Sequence, residues 1–449
     1  MRRSAAIGVV VFTLVGGLLM VGGAPAAATV GDPPSGASDS PSISADGRYV
    51  AFLSAADNLL DGDATKDPNG YTDVFVRDTQ TGTNRLVSSA PNHDPANGDA
   101  TEVDISAGGR YVAFVSEATN LLSDDANQEL SDVFRFDLQT GALTLVSRRG
   151  AAGAQGDGVS WNVSISDDGS KVAFTSSSTN LVASDSNKVS DTFVRDVPGV
   201  VTTLVSRNSN GKLANGLSTN AGISGNGAFV AFESTATNLV SKDTNGKRDV
   251  FLKNLSTSNV IRMSVANDEQ QAKGTSSFYD VSDTGRYVVF ASDADNLIAS
   301  DTNQLRDIFV RDKADATTVR ASRRGSTEAN GVSYGAAISP DGAFVAFTTQ
   351  ATNLGGAMAD GNGTLADVFE FELATKTLRL VSLDAAGGWA DGASFDPSYA
   401  SSSTVAFSSM ATDLVAGDTD GVTDVFTRSW ASGRGGGVTT LRSWTAPAA

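Results

Sequence analysis

Short apolar triplets, Val-Ala-Phe or a close variant, return along the chain, each set between polar stretches. They are Val50-Ala51-Phe52, Val112-Ala113-Phe114, Val172-Ala173-Phe174, Val230-Ala231-Phe232, Val288-Val289-Phe290, Val345-Ala346-Phe347 and Val405-Ala406-Phe407. The steps between their valines are 62, 60, 58, 58, 57 and 60 residues. A second mark follows in the same phase, an aspartate two residues before a phenylalanine: Asp73, Asp132, Asp191, Asp249, Asp307, Asp367 and Asp424. A third is a glycine ahead of each unit: Gly36, Gly98, Gly158, Gly216, Gly274, Gly331 and Gly392. Three marks in register, seven times over, define one unit of about 59 residues written seven times.

Each unit reads as four short strands. In the second, strand a is expected over 100–106, b over 111–116, c over 132–137 and d over 143–147. Val, Phe and Tyr fill the strands, while Gly, Asp, Asn and Thr fill the turns. Strand b is apolar on both faces, as in a sheet covered on both sides. No amphipathic helix of useful length is present. The pattern predicts an all-β fold, a seven-bladed β-propeller of four-stranded antiparallel blades over residues 36–442. A single sheet cannot bury both of its faces, so the ring should be one cooperative domain. A sandwich or solenoid would not account for seven sheet-sized units. The first unit opens with strand a over 38–44 and the last closes with strand d over 438–441. The ring should therefore close without exchanging strands between first and last blades.

Composition narrows the chemistry. Among 449 residues there is no cysteine and one histidine, His93. That excludes disulfides, thiolate metal sites and poly-histidine metal sites. With 33 Lys+Arg against 51 Asp+Glu the formal net charge is −18, which argues against nucleic acid and anionic lipid as partners. A hydrophobic share of 40% supplies a real core. The N-terminus joins basic Met1-Arg2-Arg3, an apolar run from Ile7 to Gly23 and small residues from Ala24 to Ala28. That order reads as a cleavable signal peptide over 1–28, followed by a linker over 29–35. The rival reading is a retained anchor, but the run of about 17 residues is at the lower limit for a span and is broken by glycines. Residues 443–449 read as a tail. The mature chain is expected to be an extracytoplasmic monomer of the cell envelope or secreted, with no membrane span after cleavage.

The turn phrases Ser44-Ala45-Asp46-Gly47, Ser166-Asp167-Asp168-Gly169 and Ser339-Pro340-Asp341-Gly342, each followed by Val-Ala-Phe, resemble the WD40-like repeats (PD40) of TolB-type propellers. Asp73-Val74-Phe75-Val76-Arg77-Asp78 is similar to the second half of that repeat. The resemblance covers roughly 36–442 and implies the fold. TolB-type proteins carry an additional N-terminal domain, which is not expected ahead of this propeller. Related propellers cap prolyl oligopeptidases, whose hydrolase domain is not expected here.

In this strand order the d–a and b–c loops share one face and the a–b and c–d turns the other. The units differ most at the head of strand a. There Trp161, Tyr334 and Phe395 share one repeat position, beside Glu102, Asn162, Asn220, Phe278 and Asp396. Two readings fit: a stacking and hydrogen-bonding cup for a sugar or peptide at the channel mouth, or side chains that plug it. The b–c loops repeat Asp-x-Asn-x-x-x-Asp, as in Asp67/Asn69/Asp73 and Asp243/Asn245/Asp249, and reach three carboxylates at Asp418, Asp420 and Asp424. They read either as oxygen ligands for a hard cation or as turns in which Asp and Asn cap their own backbone. The loops lack the further oxygen ligand and the later bidentate acid of a full calcium loop. Under both readings they form a negative rim that attracts cationic partners. Arg77, Arg195 and Arg311 recur on strand c and should bridge blades or face solvent, and His93 reads as a loop residue.

No phosphate loop, nucleophile elbow or histidine cluster is present. The expectation is an exported, non-catalytic propeller that binds a protein or peptide through its acidic, aromatic-lined d–a/b–c face. The alternatives are a carbohydrate-binding or carbohydrate-active propeller, glycosidase- or lyase-like, with a glycan ligand, and a calcium-stabilised structural protein. No cofactor is assigned, and calcium is the candidate cation.

Overall fold

The computed structural model describes residues 34–444, apart from 61–66, 68, 91, 124, 129, 151–152, 300, 402 and 431–435. The expected signal segment 1–28, residues 29–33 of the linker and residues 445–449 of the tail lie outside the described residues. Among the described residues no helix is long and apolar enough to cross a membrane.

The chain forms seven four-stranded antiparallel sheets, each built from four consecutive strands. Blade 1 comprises Ser38–Ile43, Tyr49–Ser54, Asp73–Asp78 and Thr83–Leu86, and blade 2 Ala100–Ile105, Tyr111–Ser116, Asp132–Asp137 and Leu143–Leu145. Strand a of the next four blades is Ser160–Ile165, Ser218–Ile223, Ser276–Val281 and Ser333–Ile338. Blade 7 comprises Ser394–Ser401, Thr404–Ser409, Asp424–Ser429 and Val438–Leu441. The seven-bladed propeller read from the repeats is the fold. One further hairpin, Arg323–Arg324 with Thr327–Glu328, lies between blades 5 and 6.

The apolar triplets build the core. In every blade strand b is buried from its second residue onward. Its phenylalanine stacks on that of strand c, from Phe114 on Phe134 at 5.5 Å between ring centroids to Phe347 on Phe369 at 6.3 Å. Offset stacks of this kind add ~0.5–1.5 kcal/mol beyond the area buried. The marker glycines lie against the chain leaving strand b. A Cβ at Gly274 would fall 2.5 Å from the Ala294 nitrogen and one at Gly331 2.4 Å from the Gln350 oxygen, so no side chain fits.

One backbone bond recurs at every blade junction. The first residue of strand a donates its N–H to the carbonyl just ahead of strand c in the preceding blade: Ala100 to Thr72, Ser160 to Ser131, Ser218 to Ser190, Ser276 to Arg248, Ser333 to Arg306 and Ser394 to Ala366. The seventh, Ser38 to Thr423 at 2.7 Å, joins blade 1 to blade 7 and closes the ring without strand exchange. At this seam Arg77 Nη1 and Asn84 Nδ2 also donate to the Trp444 carbonyl, both at 2.8 Å. Ser443 and Trp444 are buried in blade 7. Arg195 reaches the Arg148 and Gly150 carbonyls and Arg311 the Ala266 carbonyl, so the recurrent strand-c arginines bridge blades.

Candidate functional site

Residues from all seven a strands line one axial cavity. Strand a is the edge of its sheet, so its outward N–H groups need partners from elsewhere. Neighbouring blades supply them. Ser42 Oγ accepts from the Ile105 N–H (3.1 Å), Asp104 Oδ2 from Ile165 (2.8 Å), Ser164 Oγ from Ile223 (3.2 Å) and Asp280 Oδ2 from Ile338 (2.8 Å). One step nearer the d–a face, Glu102 Oε2 accepts from Val163 (2.9 Å) and Asn162 Oδ1 from Asn220 (3.2 Å).

The third residue of strand a forms a bulge. Ser40, Asn162, Asn220, Gly335 and Asp396 all have φ between 47° and 53°. Asn, Asp and Gly tolerate this left-handed region best, which accounts for the residue type in four of the five blades, Ser40 being the exception. In blades 2 and 5 the position is Glu102 and Phe278, and the register breaks instead between Ala100 and Glu102 and between Phe278 and Asp280.

The eight expected mouth residues therefore divide. Glu102, Asn162 and Asn220 take part in blade-to-blade hydrogen bonding, and burial raises the Glu102 carboxyl above its ordinary range. Asp396 keeps exposed surface, but the ring around it withdraws its carboxyl from water, and this, with the Asp39 carboxylate, pushes it up to about 6. Phe278 is buried and covers Gly222, where a Cβ would fall 2.5 Å from its ring. Trp161, Tyr334 and Phe395 are half-buried on strand a opposite Thr175, Thr348 and Ser408. Among the described residues no ring contact joins these three aromatics.

The axial cavity, of about 350 Å³, occupies the half of the channel that reaches the a–b turns at Ala45, Asp167, Gly225, Asp283 and Pro340. Of the eight expected residues only Phe278 lines it. Its charged lining is Asp104, Asp280, Asp167 and Asp283, with no Lys, Arg or His among the described lining residues. Burial pushes Asp104 up to about 6. Burial, and then the Asp104 charge, push Asp280 up to about 7. Burial and the charges of Asp167 and Asp341 push Asp283 up to about 6. The signal in the sequence was the alternation of strand a, which sets Asp104 and Asp280 at the repeat position of Ser42 and Ser164.

On the opposite face the strand-c aspartate is held by a serine two residues beyond strand d. Ser88 Oγ donates to Asp73 Oδ1 at 2.5 Å, Ser264 to Asp249 at 2.6 Å and Ser443 to Asp424 at 2.5 Å. The loop asparagine caps backbone, as where Asn69 Oδ1 accepts from Tyr71 N and Asn245 Oδ1 from Lys247 N, both at 2.9 Å. Asp418, Asp420 and Asp424 converge, with one oxygen of each within 4.8 Å of the others. Two residues ahead of strand c stand Tyr71, Leu130, Val189, Leu305, Leu365 and Val422, partly or largely exposed, with Lys247 breaking the series in blade 4. This apolar ring lies in the acidic rim and was passed over in the sequence because its members differ in kind.

No family model matches the chain, and neither does any curated protein sequence. Solved structures do. The propeller domain of the trilobed protease of Pyrococcus furiosus, described as having an open velcro topology, superposes with a TM-score of 0.52 at 11% identity, covering 90% of this chain and 97% of that one. Oligogalacturonate lyase from Vibrio parahaemolyticus gives 0.53 at 11% identity, covering 90% and 92%. TolB from Acinetobacter baumannii gives 0.38 at 14% identity over 76% of this chain and 74% of that one, so the TolB-type resemblance rests on the repeat phrases. The likeness to the first two is one of fold alone.

Proposed function

We propose that this chain is an exported, non-catalytic binding propeller whose ligand presents a cationic group, a peptide amine or guanidinium, to the axial cavity. One observation carries the reading: four carboxylates and no basic residue among the described residues that line a cavity of about 350 Å³. The volume lies at the lower end for small-ligand pockets. Buried carboxyls with raised pKa values gain most from a cation, because its charge offsets the burial that disfavours their ionised form. An oligogalacturonate, being polyanionic, would meet four carboxylates and no cation among the described lining residues, so the fold shared with the lyase does not bring its substrate along. Calorimetric titration with lysine- or arginine-bearing peptides should show binding that weakens about tenfold or more in Asp104→Asn/Asp280→Asn. Equal binding of neutral peptides, or no binding, would overturn the reading.

A second reading is favoured by the apolar ring of the b–c loops, where Tyr71 is 41% and Leu365 44% exposed. It makes that face a protein-docking surface. Loss of partner capture in Tyr71→Ser/Leu365→Ser, with peptide binding at the axis intact, would select it.

A further inference from the structure

Three of the b–c loops, those of blades 2, 4 and 5, solve one electrostatic problem in different ways. In each, a loop acid and the strand-c aspartate point at a common spot, and something positive or hydrogen-bearing is needed between them. In blade 5 it is a guanidinium: Arg320 Nη1 lies 3.1 Å from Asp301 Oδ1 and 3.2 Å from Asp307 Oδ2. In blade 4 it is Arg262, 3.8 Å from Asp243 and 3.5 Å from Asp249. In blade 2 it is an amide: Gln155 Nε2 donates to Asp125 Oδ1 (2.9 Å), Asn127 Oδ1 (2.8 Å) and Asp132 Oδ2 (2.5 Å). Arg262 and Arg320 stand two residues ahead of the serine that holds the strand-c aspartate. Leu86, Leu145, Leu204, Leu380 and Leu441 occupy that position in the other blades.

Blades 1, 3 and 6 also lack these devices and leave single oxygens of Asp67, Asp185, Asp191 and Asp360 without a hydrogen-bond partner among the described residues, but blade 7 departs further. Its arginine position is Leu441, and the loop asparagine, whose amide donates to Asp73, Asp249 and Asp307 in blades 1, 4 and 5, is replaced by Asp420. Asp418 is 2% exposed, and among the described residues neither of its carboxylate oxygens has a hydrogen-bond partner. Asp424 is fully buried, and its Oδ2 is equally unpartnered. Buried orphan carboxylate oxygens facing one another are costly unless a cation lies between them.

We propose that blade 7 holds a hard divalent cation of the calcium class among the carboxylates of Asp418, Asp420 and Asp424, at the place where blades 2, 4 and 5 insert a side chain of their own. All-oxygen donors suit such an ion. Thr423, beside Asp424, is the residue whose carbonyl takes the ring-closing bond from Ser38, so the ion braces the loop at the seam. Trp444 lies against Gly417, where a Cβ would fall 3.4 Å from its ring, and so provides an optical antenna next to Asp418.

The test uses the purified chain stripped with EDTA, terbium luminescence excited through tryptophan, calcium competition and thermal unfolding. Terbium should bind and be displaced by calcium at or below about 1 mM, and calcium should raise the Tm. Asp420→Asn, at an exposed position, restores the amide of the other loops and should lower calcium affinity about tenfold or more. Leu441→Arg carries the guanidinium of blades 4 and 5 into blade 7 and should abolish the calcium response. Asp301→Asn in blade 5 should leave the response as in the parent. An EDTA-stripped parent protein with no terbium signal and no Tm change at about 1 mM calcium would overturn the proposal. So would an Asp420→Asn variant that responds as the parent does.

Discussion

The interior of each blade and its axial strand follow opposite rules. Strands b and c carry the same phenylalanine pair seven times with nearly the same stacking. Strand a varies among the blades, with Ser42, Asp104, Ser164, Gly222, Asp280, Ala337 and Ser398 at a single repeat position. The repeated phenylalanines serve their own sheet. In four blades the varied fifth residue of strand a serves the neighbouring blade by accepting its edge N–H, while the repeated junction bond and the strand-c arginines also cross between blades.

Cutting into the interior should have the largest effect. Phe290→Ala removes a fully buried ring and should cost about 3–5 kcal/mol in denaturant unfolding, lowering the midpoint of the whole ring in one transition. A separate early transition for one blade would break the picture of a single cooperative ring. At the axis, Asp280→Ala leaves the Ile338 N–H without its acceptor and should cost about 1–3 kcal/mol, whereas Asp280→Asn keeps an acceptor and should match or exceed the parent at pH 8.

Acidity separates the two regions further. Asp104, Asp280, Asp283 and Asp396 have folded-state values of about 6 to about 7 against an ordinary 3.8. Between those limits the folded protein holds more protons than the unfolded chain, so stability falls as pH rises through that window and levels off above it. In EDTA the Tm should therefore be higher near pH 5 than near pH 8, and Asp104→Asn/Asp280→Asn should flatten the slope. The smallest effect belongs to Trp161→Ala, which should change stability by about 1 kcal/mol or less and leave axial binding of cationic peptides untouched.

Fold and repeat boundaries were legible because the b–c core is written in full in every unit. In blade 2 the expected strands b and c coincide with Tyr111–Ser116 and Asp132–Asp137, and a and d end within two residues of those seen. The site was legible only in part. Asn162, Asn220 and Asp396 read as ligand contacts because polar residues at a channel mouth invite that reading. Their left-handed bulge, and the bond that Asn162 accepts from the Asn220 N–H of the next blade, are tertiary facts that one repeat does not display. The position of the cavity on the a–b side was likewise hidden, since it depends on how far seven strands splay. Asp418, Asp420 and Asp424 were visible as a cluster, but the meaning of the cluster came from Arg262, Arg320 and Gln155, which approach their loops from elsewhere in the chain.

The seam bond from Ser38 to Thr423 is the same in kind as the six other junction bonds. No junction is therefore privileged as the place where the polypeptide must start. A circularly permuted gene, with residues 34 and 444 joined through a linker and new ends at the exposed Ser209-Asn210 turn, should specify the same ring, with the former first and last blades now in the middle of translation.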